Sequence, residues 1–175
     1  MFVESIQLNN YRNYDSADVT FSPGVNIFYG NNAQGKTNLL EAVYLSGTSR
    51  SHRSSKDKEL IRFGTEEAHI RLFFRKQELS HRLDFHLKLK KPKGIAIDGI
   101  PIKKTSELLG MLPIVFFSPE DLSMIKNGPS MRRKFLDMEM SQLDRTYLQY
   151  LTNYNDLLGE RNNLLKQIAV FPQLR

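Results

Sequence analysis

The strongest constraint on this chain is the run Gly30-Asn31-Asn32-Ala33-Gln34-Gly35-Lys36-Thr37, which fits G-x-x-x-x-G-K-[ST] at every fixed position. Two glycines allow the backbone to wrap so that successive N–H groups point inward, and a following helix adds its positive end to that nest. Lys36 would place a point charge between the β- and γ-phosphates of a nucleotide. The Thr37 hydroxyl would be the ligand for Mg²⁺ bridging the same two groups. The four fixed positions would coincide by chance in roughly one chain of this length in two hundred, so the flanks decide. Val25-Asn26-Ile27-Phe28-Tyr29 follows a Pro23-Gly24 turn and reads as a buried strand. Leu39, Leu40, Ala42, Val43 and Leu45 give a helical apolar face closing near Gly47. Strand, loop and helix are the context that a phosphate-binding P-loop requires.

At 175 residues the chain can hold one domain with a sizeable core, or one domain and the start of another. No run of about 18 apolar residues suggests a membrane span, and the N-terminus lacks the basic and apolar regions of a signal peptide. The expected setting is cytoplasmic, with no membrane partner. There are no cysteines, which removes disulfides, zinc–thiolate sites and thiol nucleophiles and fits a reducing compartment. The four histidines, His52, His69, His81 and His86, have no metal-site spacing and read as surface or sheet residues. A net charge of +6 points to a polyanionic partner or to a basic solvated surface; composition leaves both open.

Along the chain, Val3 to Leu8 reads as a strand running into a polar loop, Asn9 to Tyr14, and Ala17 to Phe21 reads as a second strand. Thr48 to Lys56 is a polar, basic loop, expected to be mobile. Arg50, Arg53 and Lys56 there are either phosphate contacts or ordinary solvated residues. Leu60 to Gly64 looks like a short helix stopped by glycine. From Glu67 to Ile97 apolar residues recur with period two, predicting an antiparallel meander with one buried face. Its turns fall at Lys90 to Gly94, where the lysines read more as edge protection than as a binding site, and at Asp98-Gly99. Thr105 to Gly110 is a capped short helix.

Pro113-Ile114-Val115-Phe116-Phe117 reads as an apolar strand, and Ser118-Pro119-Glu120-Asp121 starts a helix. An apolar strand ending near acids can mimic a Walker B element, whose carboxylates hold Mg²⁺. Here a serine and a proline intervene, and the acids are also explained as partners of the helix N-terminus. Gly128-Pro129-Ser130 opens a long helical region with Arg132, Arg133 and Lys134 near its start. Tyr147, Leu151, Tyr154, Leu158, Arg161, Leu165 and Ile168 then recur at spacings of four and three, a heptad seam with one polar member. The seam still runs as the chain ends, which suggests a helical arm that has been cut.

Asn10-Tyr11-Arg12-Asn13-Tyr14, the P-loop, Phe117-Ser118-Pro119-Glu120-Asp121-Leu122 and Gly128-Pro129-Ser130-x-Arg132-Arg133-x-Phe135-Leu136-Asp137 stand in the order and spacing of the bacterial RecF family. The chain resembles the N-terminal half of that family of recombination-mediator ATPases, relatives of SMC heads. The resemblance implies an α/β P-loop NTPase of the ABC-head type: an ATP-binding lobe I over residues 1–128, with a mixed sheet and antiparallel meander, and the start of a helical lobe II over 129–175. It implies ATP and Mg²⁺ as cofactors, and a homodimer of heads with ATP sandwiched between P-loop and signature motif. It also implies loading on DNA at gaps and junctions, with RecR and RecO as partners. Carried over by residue, Gly30, Asn31, Asn32, Ala33, Gln34, Gly35, Lys36 and Thr37 hold the phosphates, Thr37 the metal, and Arg12 and Asn13 are further phosphate contacts.

The sequence also departs from the family's heads. It holds no Ser-Gly-Gly signature, no clear Walker B acid, and no glutamine after Phe117. Nucleotide binding with poor hydrolysis is the expectation for this chain. A nucleotide-responsive, non-catalytic DNA or protein binding module stays open beside it, as does a self-contained P-loop hydrolase using Glu120 or Asp121 for metal.

Overall fold

The computed structural model describes residues 1–53, 56–122 and 128–170. The chain divides into two compact units, Met1–Phe117 and Ser118–Arg175. In the first unit, alternation of apolar and polar residues builds six strands in the order β2-β1-β3-β4-β5-β6, and every pairing among the described residues is antiparallel. β1 (Phe2–Tyr11) and β2 (Tyr14–Thr20) form the first hairpin, with Tyr11 opposite Tyr14. The polar stretch expected as a loop is therefore strand except at Arg12-Asn13. Pairing of Asn9 with Ser16 satisfies its backbone and overrides its polarity. Asn10 and Arg12, at φ 51° and 53°, take the left-handed conformation that bends the tip.

β3 (Glu67–Lys76) lies on the other side of β1 and pairs with β4 (Leu79–Lys88), followed by β5 (Gly94–Ile97) and β6 (Ile100–Pro101). The meander read from period two is present, with its turn at Asp98 and Gly99. Their φ values of 51° and 84° are those of the tight hairpin turn that aspartate and glycine favour. The inner face presents Ile6, Leu8, Ile70, Leu72, Leu83 and Phe85, none more than 1% exposed. Burial of each such side chain is worth about 1.5–3 kcal/mol. A slip of one residue would turn all of them to solvent, so the register is held.

Helix α1 (Lys36–Thr48) lays Leu39, Ala42 and Leu45 on this face. It closes near Gly47 as expected, with Thr48 its last residue and Ser49, at φ 59°, as the cap whose N–H bonds to the Leu45 carbonyl at 2.8 Å. Gly47 is also the point of closest approach to the segment before Phe117. A Cβ there would stand 2.7 Å from the Leu112 carbonyl oxygen and 2.6 Å from Ile114 Cδ1.

Leu60 to Gly64 also differs from its expected helix. A 3₁₀ turn occupies Asp57–Leu60, and Ile61 is bridged to Tyr11. Arg12 N donates to Leu60 O, and Arg62 N to Asn10 O, each at 2.8 Å, so the segment is stitched to the hairpin tip. The lysine-rich turn is not wholly solvated either: Lys93 Nζ donates to Ser49 O at 2.6 Å and lies 3.2 Å from the Asp57 carboxylate.

Val25 to Tyr29 and Pro113 to Phe117, both expected as strands, belong to no ladder among the described residues. Their alternation still works on one side, where Phe28 and Ile114 pack on the core. On the other, Val25, Ile27 and Tyr29 are 88%, 79% and 91% exposed, and Val115 and Phe117 are 78% and 73%. The pattern is that of a strand, and a strand also needs a neighbour.

In the second unit, α2 (Pro129–Leu143) starts on a proline, whose missing N–H costs nothing at that position. α3 (Arg145–Val170) follows after Asp144, whose carboxylate accepts the Thr146 N–H at 2.7 Å. The Tyr147 hydroxyl donates to Asp137 at 2.7 Å and ties the two helices. Of the heptad seam, Tyr147, Leu151, Leu158 and Ile168 are half-buried, while Tyr154 and Leu165 face solvent. No helix among the described residues is long and apolar enough to cross a membrane.

The contact at Gly47 gives a direct test. Gly47→Ala should lower stability by about 1–3 kcal/mol, the usual cost of forcing an extra group into a packed site, although alanine is the better helix former. Urea denaturation reads the change, and an unchanged or raised midpoint would show that the segment near Leu112 gives way freely.

Candidate nucleotide site

The P-loop is held in a shape that its sequence allows and most sequences do not. Gly30, Ala33 and Gly35 have φ of 141°, 64° and 101°, and Gly35 leads directly into α1, its carbonyl accepting the Leu39 N–H at 2.9 Å. The demand at Gly35 is double. Besides its backbone angle, a Cβ there would meet the Tyr14 hydroxyl at 2.8 Å and the Asn13 side chain at 2.9 Å. The first hairpin thus presses on the loop where the helix begins.

A hollow of about 270 Å³ lies over the start of α1, lined by Asn32 through Asn38 and by Arg53. Among the described residues no carboxylate lines it. An ammonium, a guanidinium, a hydroxyl, amide groups and the first N–H groups of a helix suit a polyphosphate. Lys36 Nζ donates to the loop's own carbonyls, Gly30 O at 2.8 Å and Asn31 O at 2.6 Å. Thr37 is exposed at the first turn of α1, where its hydroxyl could hold a metal.

An adjoining hollow is lined by Arg12, Asn13, Asn38, Arg53 and Glu59, among others. Asn13 Oδ1 accepts a hydrogen bond from Asn38 Nδ2 at 2.8 Å, which joins the hairpin tip to α1. Arg12 stands beside it with its fork on Glu41: Nε to Oε2 at 2.9 Å and Nη2 to Oε1 at 2.8 Å, with Nη1 donating to Glu59 O at 2.8 Å.

Sequence reasoning missed Asn38, and with it Glu41. Glu41 is fully buried, and it accepts from Arg12 and from the Ser51 hydroxyl at 2.5 Å. Ser51 Oγ in turn accepts the Arg53 N–H at 3.1 Å, so a chain of bonds runs from the buried carboxylate to the arginine over the P-loop. The available signal was an acid inside the apolar stripe of Leu39, Ala42 and Leu45. Burial alone would raise the Glu41 carboxyl, but hydrogen bonds from Arg12 and Ser51 and the charge of Arg12 outweigh it and hold it below its ordinary value. The hydroxyl of the neighbouring Tyr11 is pushed up, first by burial and then by the Glu41 charge.

Other candidates fall elsewhere. Arg50 and Lys56 are exposed and line neither hollow, and Ser54 and Ser55 lie outside the described residues. Asp121 Oδ2 accepts from the Ser118 N–H at 2.7 Å and from its hydroxyl at 2.9 Å, the geometry of a helix-start cap. The Glu120 side chain lies outside what is described. Arg132, Arg133 and Lys134 are exposed on α2.

A family model described as an AAA domain matches residues 5–174. The chain belongs to this AAA-domain family. Within it, the chain is 61% identical over 169 residues to the DNA replication and repair protein RecF of Lachnoclostridium phytofermentans, covering 97% of this chain and 47% of that protein. The chain therefore spans about half the length of the curated relatives it matches. It is 42% identical to a recombination mediator RecF solved with ATP, with a TM-score of 0.90 over 95% of this chain and 45% of the other. A solved SMC ATPase, at 20% identity and a TM-score of 0.63, covers 78% of this chain and 98% of that one, a likeness of fold. The resemblance to RecF read from the four motifs is borne out, as is the α/β ATPase head.

Because the Glu41 carboxyl is held down in the folded chain, its contribution to stability is complete above the ordinary value of 4.5. It is lost as the pH falls through the lower folded-state value. Glu41→Gln should cost about 3 kcal/mol at neutral pH, as for breaking a buried pair. The gap from wild type should shrink in acid. Denaturant titrations across that range check it, and a gap independent of pH would mean that the carboxylate charge is not what matters.

Proposed function

We propose that this chain is the ATP-binding head portion of a RecF-type recombination mediator, which binds DNA at gaps and junctions in an ATP-dependent way for replication and repair. The observation that carries this reading is the donor-lined hollow at the start of α1, in a chain 42% identical to a RecF solved with ATP. In this reading the N–H groups of Gly30 to Thr37 cradle the phosphates. The Lys36 ammonium leaves Gly30 O and Asn31 O for phosphate oxygens, and Thr37 Oγ1 is a ligand of Mg²⁺. The ion, when bound, neutralises charge on the β- and γ-phosphates. Arg53 and Asn13 approach from the sides, and Arg12 is either a further contact or, through Glu41, what sets Asn13 in place. Residues 1–128 belong to lobe I and 129–175 begin lobe II. Homodimerisation of heads, RecR and RecO as partners and a cytoplasmic setting complete the proposal.

Turnover by this chain alone should be weak. The bonds of Asp121 to Ser118 favour a cap over a metal-binding acid, which weighs against a self-contained hydrolase. They leave room for a second reading, a binding module in which ATP is a conformational ligand.

Equilibrium binding of Mg-ATP, run beside Lys36→Ala, tests the site. A charged hydrogen bond is worth roughly 1.5–3 kcal/mol, so the variant should bind roughly 10–100-fold more weakly. Equal binding by both proteins, or none by the wild type, refutes the assignment, and fast turnover lost in the variant refutes the expectation of weak hydrolysis. For DNA, affinity for a duplex should fall steeply with salt, each neutralised phosphate adding a slope of about −0.9 in log K against log salt. A flat response removes DNA as a partner of this chain.

A further inference from the structure

The outward face of the sheet, opposite the one that α1 covers, carries a second concentration of chemistry that the nucleotide site does not use. Glu67 and His69 are two apart on β3 and share that face. His86 on β4 is the direct cross-strand partner of His69. The two imidazoles stack at 4.0 Å between centroids, 28° apart, and both aim Nε2 at one carboxylate. His86 Nε2 is 2.8 Å from Glu67 Oε2, and His69 Nε2 is 3.8 Å from Glu67 Oε1. One donor atom from each of the three residues lies within 4.8 Å of the others.

We propose that Glu67, His69 and His86 form a binding site for a divalent first-row transition-metal ion, Zn²⁺ foremost. Two imidazole nitrogens and one carboxylate oxygen are a borderline donor set that suits zinc, cobalt, nickel or copper and not magnesium or calcium. Bonds of about 2.0–2.1 Å in a tetrahedron place donors about 3.3 Å apart. The donor atoms already lie within 4.8 Å of one another, and rotation of the half-exposed side chains brings them to that spacing without moving the ladder. The surroundings leave the ion room for water. On the side of β4 away from β3, the partner of His86 is Gly94, which puts no side chain over the ring, and the two histidines border an open depression of about 480 Å³. Arg71, on the same face, is committed to Asp84 at 2.6 Å and does not compete for Glu67. Lys88 stands opposite Glu67, and its charge limits how tightly a cation is held.

A pair of sheet histidines sharing one glutamate is also a plain structural arrangement, so the test must separate the two. Metal-free chain, without nucleotide, is titrated with ZnCl₂ by calorimetry and with Co²⁺ by visible absorption. One ion should bind per chain, with a cobalt spectrum of tetrahedral nitrogen and oxygen ligation. His69→Gln and His86→Gln should each weaken binding at least roughly tenfold, the loss that removal of even an outer-shell partner brings. His81→Gln, at a histidine engaged by Asp98, should not change it, and excess Mg²⁺ should not displace the ion. Circular dichroism should show the variants folded, and Zn²⁺ should raise the melting temperature of the wild type and of His81→Gln more than that of His69→Gln or His86→Gln. No saturable binding, binding that survives both substitutions, or displacement by Mg²⁺ overturns the proposal.

Discussion

A guanidinium and a carboxylate, closed in beneath the tip of the first hairpin, organise the P-loop end of the first unit. Arg12 comes from the two-residue turn between β1 and β2, and Glu41 from the buried side of α1. Ser51 adds the segment after the helix and Glu59 O the 3₁₀ turn. Four pieces of chain distant in sequence are joined through one fork and one carboxylate. Burying such a pair is costly unless the remaining donors and acceptors are satisfied, and here Ser51 and Glu59 satisfy them. The arrangement also brings the ends of the Asn13 and Tyr14 side chains over Gly35, whose φ of 101° is what calls for glycine.

Much of this was legible in the residues. The P-loop could be read because its fixed positions each answer a local physical demand, and local demands leave local traces. The meander could be read because Leu83, Phe85 and Leu87 alternate with polar neighbours on a strand with one dry face. What could not be read depended on a partner. Val25 to Tyr29 has the composition of a strand, but composition does not supply a neighbouring ladder. Asn9 and Asn10 look like loop until β2 is known to pair beyond them. Gly47 marks the helix end, but its second demand, room for the Leu112 carbonyl, shows only when that segment is seen to approach.

The site shows the same division. Lys36 and Thr37 were evident from spacing, whereas Glu41 is an acid whose importance appears only when Arg12, 29 residues earlier, is seen to meet it. His69 and His86 have no motif between them in sequence because the β3–β4 register, not the spacing along the chain, sets them face to face. A search for ligand spacing along one strand passes over a pair made across two.

The outward rows at Val25, Ile27 and Tyr29 and at Val115 and Phe117 bear on how the chain behaves in bulk. Apolar side chains set at period two, on segments outside any ladder among the described residues, are a template on which another extended segment can lie. Crowding therefore acts on these rows before it acts on the fold. The net charge of +6 keeps copies apart while salt is low, and screening removes that protection. Screening that charge should therefore favour association of copies through these rows while the ladder of the sheet stays as it is.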